Sequence, residues 1–321
     1  HDASESPTSV SYRLPETSAG TPRHAECADC HNSHTANSQT ASPPAVNGYL
    51  NGVSGITSTG SAIANSQYEY QLCFKCHADS ANKPQSNDTG NIGIGYGRNP
   101  KRQTNQGNPD RFNTRLEFSS TVAWHPVTKS RGLTTGTTGF VPSLRTSIIG
   151  SNGQPIPGRS LTSTSLIYCS DCHNNSSGRN LGTGTGPVGA HGSNNAHILE
   201  RAYSYNTPPT NPGGTIGRVT YSVSAYALCD KCHDVNNSVV QDRSFGEHRK
   251  HVVEQGVSCS VCHSSHGING GNGVNNKFLV NFDLSIVAPT NTGVLKYEST
   301  AFRNGRCYLV CHGVTHNPYD Y

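Results

Sequence analysis

Apolar residues along this 321-residue chain are sparse and rarely periodic. One run stands out, Phe278 to Ile286, where Phe278, Val280, Phe282, Leu284 and Ile286 recur at every second position and predict a β-strand. Stretches 79–124 and 131–165 are rich in Gly, Asn, Ser, Thr and Pro and predict surface loops. Hydrophobic residues make up 32% of the chain even with Tyr counted, mean hydropathy is −0.57, and there are 34 Gly and 18 Pro. A conventional domain of this length is more apolar, so the composition alone resembles that of a disordered chain. Something other than side chains has to supply the core.

The cysteines say what that is. All twelve fall into six motifs in which a second cysteine is followed by histidine: Cys27/Cys30/His31, Cys73/Cys76/His77, Cys169/Cys172/His173, Cys229/Cys232/His233, Cys259/Cys262/His263 and the stretched Cys307/Cys311/His312. The spacing Cys-x-x-Cys-His is that of c-type haem attachment, in which both sulfurs become thioethers and the histidine becomes the proximal iron ligand. A zinc site would pair two such motifs on one ion and would not need a histidine after every second cysteine. The sixth motif has three residues between its cysteines, and a Cys307–Cys311 disulfide is its alternative reading. The motifs thus imply six c-type haems, each motif on a short helical turn that brings its histidine beneath the ring.

The distal ligands follow by elimination. The chain has no Met, its cysteines are committed, and ten of its 16 histidines remain after six are counted as proximal. Each motif is followed by a candidate: His34, His125, His191 or His197, His248 or His251 or both, His266, and His316. His1 reads as solvated, His197 as either ligand or packing residue, and His24 as a reserve. His34 and His266 each stand three residues past a proximal histidine, roughly 5 Å along a helix, too close to reach the opposite face of the same ring. They are expected to ligate a neighbouring haem.

Two motif classes alternate. Cys27-Ala-Asp-Cys30, Cys169-Ser-Asp-Cys172 and Cys259-Ser-Val-Cys262 form one; Tyr70-Gln-Leu-Cys73-Phe-Lys-Cys76 and Tyr226-Ala-Leu-Cys229-Asp-Lys-Cys232 form the other, with the Cys307 motif as its divergent member. The expected fold is a multihaem c-type cytochrome, mostly coil with short helices and few short strands wrapped around a haem chain. It is one hexahaem domain over 1–321, with three two-haem units at approximately 24–130, 165–251 and 252–321. About 54 residues serve each macrocycle, and folding is expected to couple to cofactor insertion.

The chain begins at His1 without Met and has no apolar stretch of spanning length, which predicts a removed export signal, an extracellular or cell-surface location and no membrane span. The formal charge of +4 does not indicate nucleic-acid binding. Twelve haem propionates would take it to roughly −8 with ferrous irons or about −2 with ferric ones, and the Arg and Lys side chains are expected to pair with those propionates.

With two histidines on every iron there is no open site for substrate, so the expected role is electron transfer at low potential, without catalysis. Multihaem nitrite reductases keep one haem open by replacing a proximal histidine with lysine, and no Cys-x-x-Cys-Lys occurs here. The alternating motifs and the near-N-terminal Cys27-Ala-Asp-Cys30-His31-Asn-Ser-His34 resemble the extracellular multihaem cytochrome nanowires of metal-reducing bacteria, the OmcS/OmcE-like hexahaem family. The resemblance covers motif order from 24 to 316; the loops match only in composition. It implies a head-to-tail homopolymer in which His34 ligates a haem of the neighbouring subunit, with redox donor cytochromes and extracellular acceptors as partners. His316, close behind the last motif, also allows the final haem to be completed within its own chain. The alternative is a discrete periplasmic or surface electron carrier, or a reductase subunit with one open haem.

Overall fold

The computed structural model describes residues 26–79, 102–105, 113–131, 141–177 and 188–321. They form mostly coil, punctuated by short helices and three small antiparallel sheets. His1, read as solvated, the reserve ligand His24 and much of the expected surface loops lie outside the described residues.

Five of the six cysteine motifs sit on helical turns: α1 (Cys27–Cys30), α2 (Glu69–His77), a 3-10 turn at Cys169–Asp171, α4 (Ala227–Asp230) and α5 (Cys259–Cys262). A shared backbone bond makes them alike. The N–H of His31, His173, His233 and His263 donates to the carbonyl of the first cysteine of its own motif at 2.8–2.9 Å, so the histidine returns one turn below that cysteine. The longest of these helices, α2, starts where the Gln71 side chain accepts from the N–H groups of Gln67 and Tyr68, and buries Tyr70, Leu72 and Phe74.

The sixth motif departs from the expected helical turn. It lies on β6 (Asn304–Cys311), the middle strand of a sheet with β5 (Lys296–Ala301) and β7 (Val314–Asp320). The Phe278–Ile286 alternation also fails as a strand. A 3-10 turn covers Lys277–Leu279, and the run then makes only single bridges, His263 to Val280 and Arg102 to Asp283. The physical reason is two-sided burial: Leu279, Asn281 and Asp283 are as buried as Val280 and Phe282, because Asn281 takes hydrogen bonds from the 102–105 segment instead of facing water. The loop expectation needs correction too, since 113–124 contains the short helix α3 (Thr114–Phe118), which buries Glu117 and Phe118, and 141–165 contains a hairpin of β3 (Ser147–Ile149) with β4 (Pro155–Ser160).

The core is divided. Tyr70, Phe74, Phe118 and Val127 pack beside Cys169; Tyr226, Val235, Val240 and Val252 pack beside Cys229 and Cys259; Val261, Phe282, Ile286 and Leu309 pack beside Cys262, Cys307 and Cys311. Each of these three clusters borders motif cysteines, whereas a fourth, of Ala123, Ile268 and Leu279, does not. No helix among the described residues is long and apolar enough to cross a membrane.

Candidate metal centres

The histidines assemble in pairs across long sequence distances. Ring centroids stand 5.8 Å apart for His31 and His191, 6.1 Å for His173 and His266, 6.3 Å for His233 and His125, and 6.3 Å for His263 and His248. In each pair one ring is an expected proximal ligand and the other an expected distal one. Two imidazoles bound to one metal from opposite sides, each through a bond of about 2 Å, have centroids about 6 Å apart once the ring radii are included. At the last motif two candidates approach: His312 lies 6.4 Å from His251 and 6.0 Å from His316.

Ring orientation points the same way. Nδ1 is hydrogen-bonded to a backbone carbonyl in His31 (Tyr49, 2.9 Å), His125 (Ser265, 2.5 Å), His173 (His197, 2.8 Å), His251 (Glu247, 2.9 Å) and His263 (Phe278, 2.8 Å). Side chains serve four more: Ser143 Oγ for His233 and Ser244 Oγ for His248 at 3.1 Å, Tyr321 hydroxyl for His316 at 2.9 Å, and Glu117 Oε2 for His266 at 3.0 Å. A carbonyl or carboxylate partner requires the proton on Nδ1 and leaves Nε2 as the nitrogen free to bind a metal, and a hydroxyl partner is compatible with the same tautomer. His316 Nε2 is buried with no hydrogen-bond partner. Burial, reinforced by a neighbouring imidazole, holds His125 and His248 down to about 3 and His173 and His233 down to about 4, so these rings are neutral, the ligating form.

The cysteines form no disulfide with one another, Cys307 and Cys311 included. They form a row in sequence order. Cys30 adjoins Cys73 and Cys76, Cys73 meets Cys169, Cys172 adjoins Cys232, Cys229 meets Cys259, and Cys262 adjoins Cys307 and Cys311. Burial above all, with the adjoining thiols, pushes Cys232 and Cys307 up to about 12. Among the described residues no three His, Cys, Asp or Glu side chains converge to hold one ion.

The motifs are also tied to one another. Lys75 Nζ donates to the Asp29 carbonyl at 2.5 Å, and Lys231 Nζ to the Asp171 carbonyl, so the lysine of each second-class motif caps the first-class motif before it. Lys231 is 1% exposed and pairs with Glu200 at 2.9 Å. Arg102 Nη1 takes the corresponding place in the third unit, donating to the carbonyls of Ser260 (2.7 Å) and Asn281 (2.9 Å).

The chain matches no protein-family model, no curated protein and no solved structure. What it can bind is therefore judged on its own residues, and they fit haem. The donors come as paired imidazoles, most with an anchored Nδ1 atom, and three of the apolar clusters lie beside motif cysteines.

Several expectations change in detail. His266 faces His173, a neighbouring motif's histidine, as its position past His263 requires. His34 is exposed, and no histidine ring stands against it among the described residues. His77 ends α2 at the surface, where its carbonyl accepts from Thr114 Oγ1. His197 acts through its carbonyl on His173 Nδ1, and its ring packs on Tyr205. Arg145 pairs with Asp230 and Asp234, Arg115 with Asp79 and Arg159 with Asp171, so cations expected on propionates are engaged by the chain's own carboxylates. Cys307 and Cys311 lie four residues apart on the same face of β6, about 13 Å of straight strand, and the register shift opposite Cys307–Leu309 places its extra residue in β7.

One group of residues escaped the sequence reading. The carbonyls that hold His31, His173 and His263 come from 3-10 turns at Gly48–Leu50, Ala196–Ile198 and Lys277–Leu279, each preceded by Asn (Asn47, Asn195, Asn276). In the last two, the accepting residue has positive φ, His197 at 59° and Phe278 at 57°. The shared signal is Asn, any residue, a ring-bearing residue, then Leu or Ile, 15 to 24 positions after a first-class histidine.

Proposed function

We propose that this chain is an electron-transfer protein carrying six covalently attached c-type haems in sequence order, each iron held between two histidines. The observation that carries the reading is the set of imidazole pairs 5.8–6.4 Å apart, each bringing an expected proximal histidine to an expected distal one. Bound haem supplies reversible one-electron chemistry without bond making. The cysteines fix the rings, the anchored histidines saturate the irons from both sides, and the divided apolar clusters exclude water around them. Adjacent thiols from Cys30 to Cys311 place successive attachment points next to one another, as a conductor requires. The protein is not an enzyme on this reading.

The resemblance to extracellular cytochrome nanowires extends the proposal to a cell-surface filament, in which His34 of one copy completes a haem of the next and passes respiratory electrons outward. The exposure of His34 supports this step. A specific observation favours the discrete carrier instead: His251 and His316 both stand beside His312, so the last iron does not need a ligand from another copy. Negative-stain images and size exclusion of the haem-loaded protein separate the two. Fibres that disappear in His34→Ala while six haems are retained support the filament; monodisperse wild-type monomers support the carrier. Carbon monoxide binding to the ferrous wild-type protein would contradict both and indicate an open, enzyme-like haem.

A further inference from the structure

Resting on the bis-histidine reading, we infer that Glu117 is a positioning residue that lowers the reduction potential of one iron, the one between His173 and His266. Among the described residues, five of the anchored histidine Nδ1 atoms face backbone carbonyls, three share a hydrogen bond with a hydroxyl, and that of His266 faces a carboxylate, Glu117 Oε2 at 3.0 Å. Glu117 is 3% exposed, so little solvent screens its charge.

The surrounding structure is built for this contact. Helix α3 is capped by the Asn113 side chain, which accepts from Leu116 N at 3.1 Å, and is tied down by Asn113 and Arg115 to Asp79 at 2.6–2.9 Å. Its end lies against the chain just past His266, where Gly267 is obligatory: a Cβ there would stand 2.0 Å from the Glu117 carbonyl oxygen. The Phe118 ring lies 5.0 Å from the His266 ring and shields the bond. The approach of α3 to His266 thus depends on a glycine, and what the approach delivers is a buried negative charge on the far nitrogen of a ligand.

A carboxylate acceptor draws the Nδ1 proton toward itself and gives the ring imidazolate character, which makes Nε2 a stronger donor to iron. Stronger donation and a buried anion both favour the ferric state over the ferrous one. The third haem in sequence order therefore sits lower than its neighbours, a well in the middle of the row that governs where electrons rest and how fast they cross. The sequence gives no sign of it, because Glu117 and His266 lie 149 positions apart.

The test is an optical redox titration of the haem-loaded wild type, Glu117→Gln and Glu117→Asp, with low-temperature electron paramagnetic resonance of each in the ferric state. Gln keeps the hydrogen bond and removes the charge. The expected result is that one haem of the six moves to higher potential in Glu117→Gln, that all six stay low-spin, and that Asp restores part of the shift. In the wild type one low-spin signal carries the narrower g-anisotropy of a ligand with imidazolate character, and it is lost in the Gln variant. A Glu117→Gln titration superimposable on wild type overturns the inference, as does a shift spread over all six haems, which would mark general loosening. If the variant does not load haem, six wild-type signals of neutral-imidazole character overturn it equally. Absence of bis-histidine low-spin signals altogether defeats the ligand assignment instead.

Discussion

The first two motif pairs and the last one reach the same end by different means. In the first two, both motifs lie on helical turns and a lysine one residue before the second cysteine, Lys75 or Lys231, caps the preceding motif. In the last, the second motif lies on β6, no lysine is present, and Arg102 reaches in from a segment 158 positions away. Yet Cys262 adjoins Cys307 and Cys311 just as Cys172 adjoins Cys232. What the chain holds constant is the placement of thiols and imidazoles, and secondary structure is adjusted to serve it. The stretched spacing of the sixth motif follows from the same adjustment. On a helix, cysteines three apart share a face; on a strand only an even separation does, and Cys307 and Cys311 are four apart.

The largest effect expected is on the whole chain. With haem attachment prevented, all three units should lose their fold together, read as loss of a cooperative thermal transition, because each apolar cluster is too small to stand without the ring it borders. A cooperative transition in the unloaded protein would show that the clusters suffice alone.

Ligand removal should distinguish the units next. His125→Ala deprives His233 of its facing imidazole and is expected to convert one haem of six to a high-spin form, read by ferric spin-state spectroscopy. In the last unit His251→Ala and His316→Ala should each leave every haem low-spin, and only the double substitution should free the sixth iron, since either ring lies within reach of His312. A high-spin haem in one single variant identifies that histidine as the sole ligand.

The caps come last and are graded by burial. Lys231→Met removes the buried ammonium 2.9 Å from Glu200, which keeps Asn174 and Arg201, and should cost about 3 kcal/mol. Arg102→Ala abandons two buried carbonyls at about 1.5–3 kcal/mol, and Lys75→Met, which loses one hydrogen bond to a carbonyl at the surface, about 1 kcal/mol. Denaturation of the loaded variants checks the order; equal losses would mean that the three caps are interchangeable.

The cysteine motifs and most of the histidines that the structure pairs stand out in the sequence because the motif spacing is local. Pairing does not, since His31 meets His191 and His125 meets His233 only through the folded chain. Nor do the partners Tyr49, Ser143 and Ser265, which act through a carbonyl or a single hydroxyl with no residue type demanded by the contact. Coil content was readable from composition, whereas the Phe278–Ile286 run misled because its alternate residues Asn281 and Asp283 are buried and bonded within the protein.

The most direct test of the account is the intact mass of the mature protein after exposure to a thiol-alkylating reagent under denaturing conditions. Six haems attached and no cysteine alkylated is the result the account requires. Alkylated cysteines in any motif of a fully matured protein, or a mass with fewer than six haems, would contradict it.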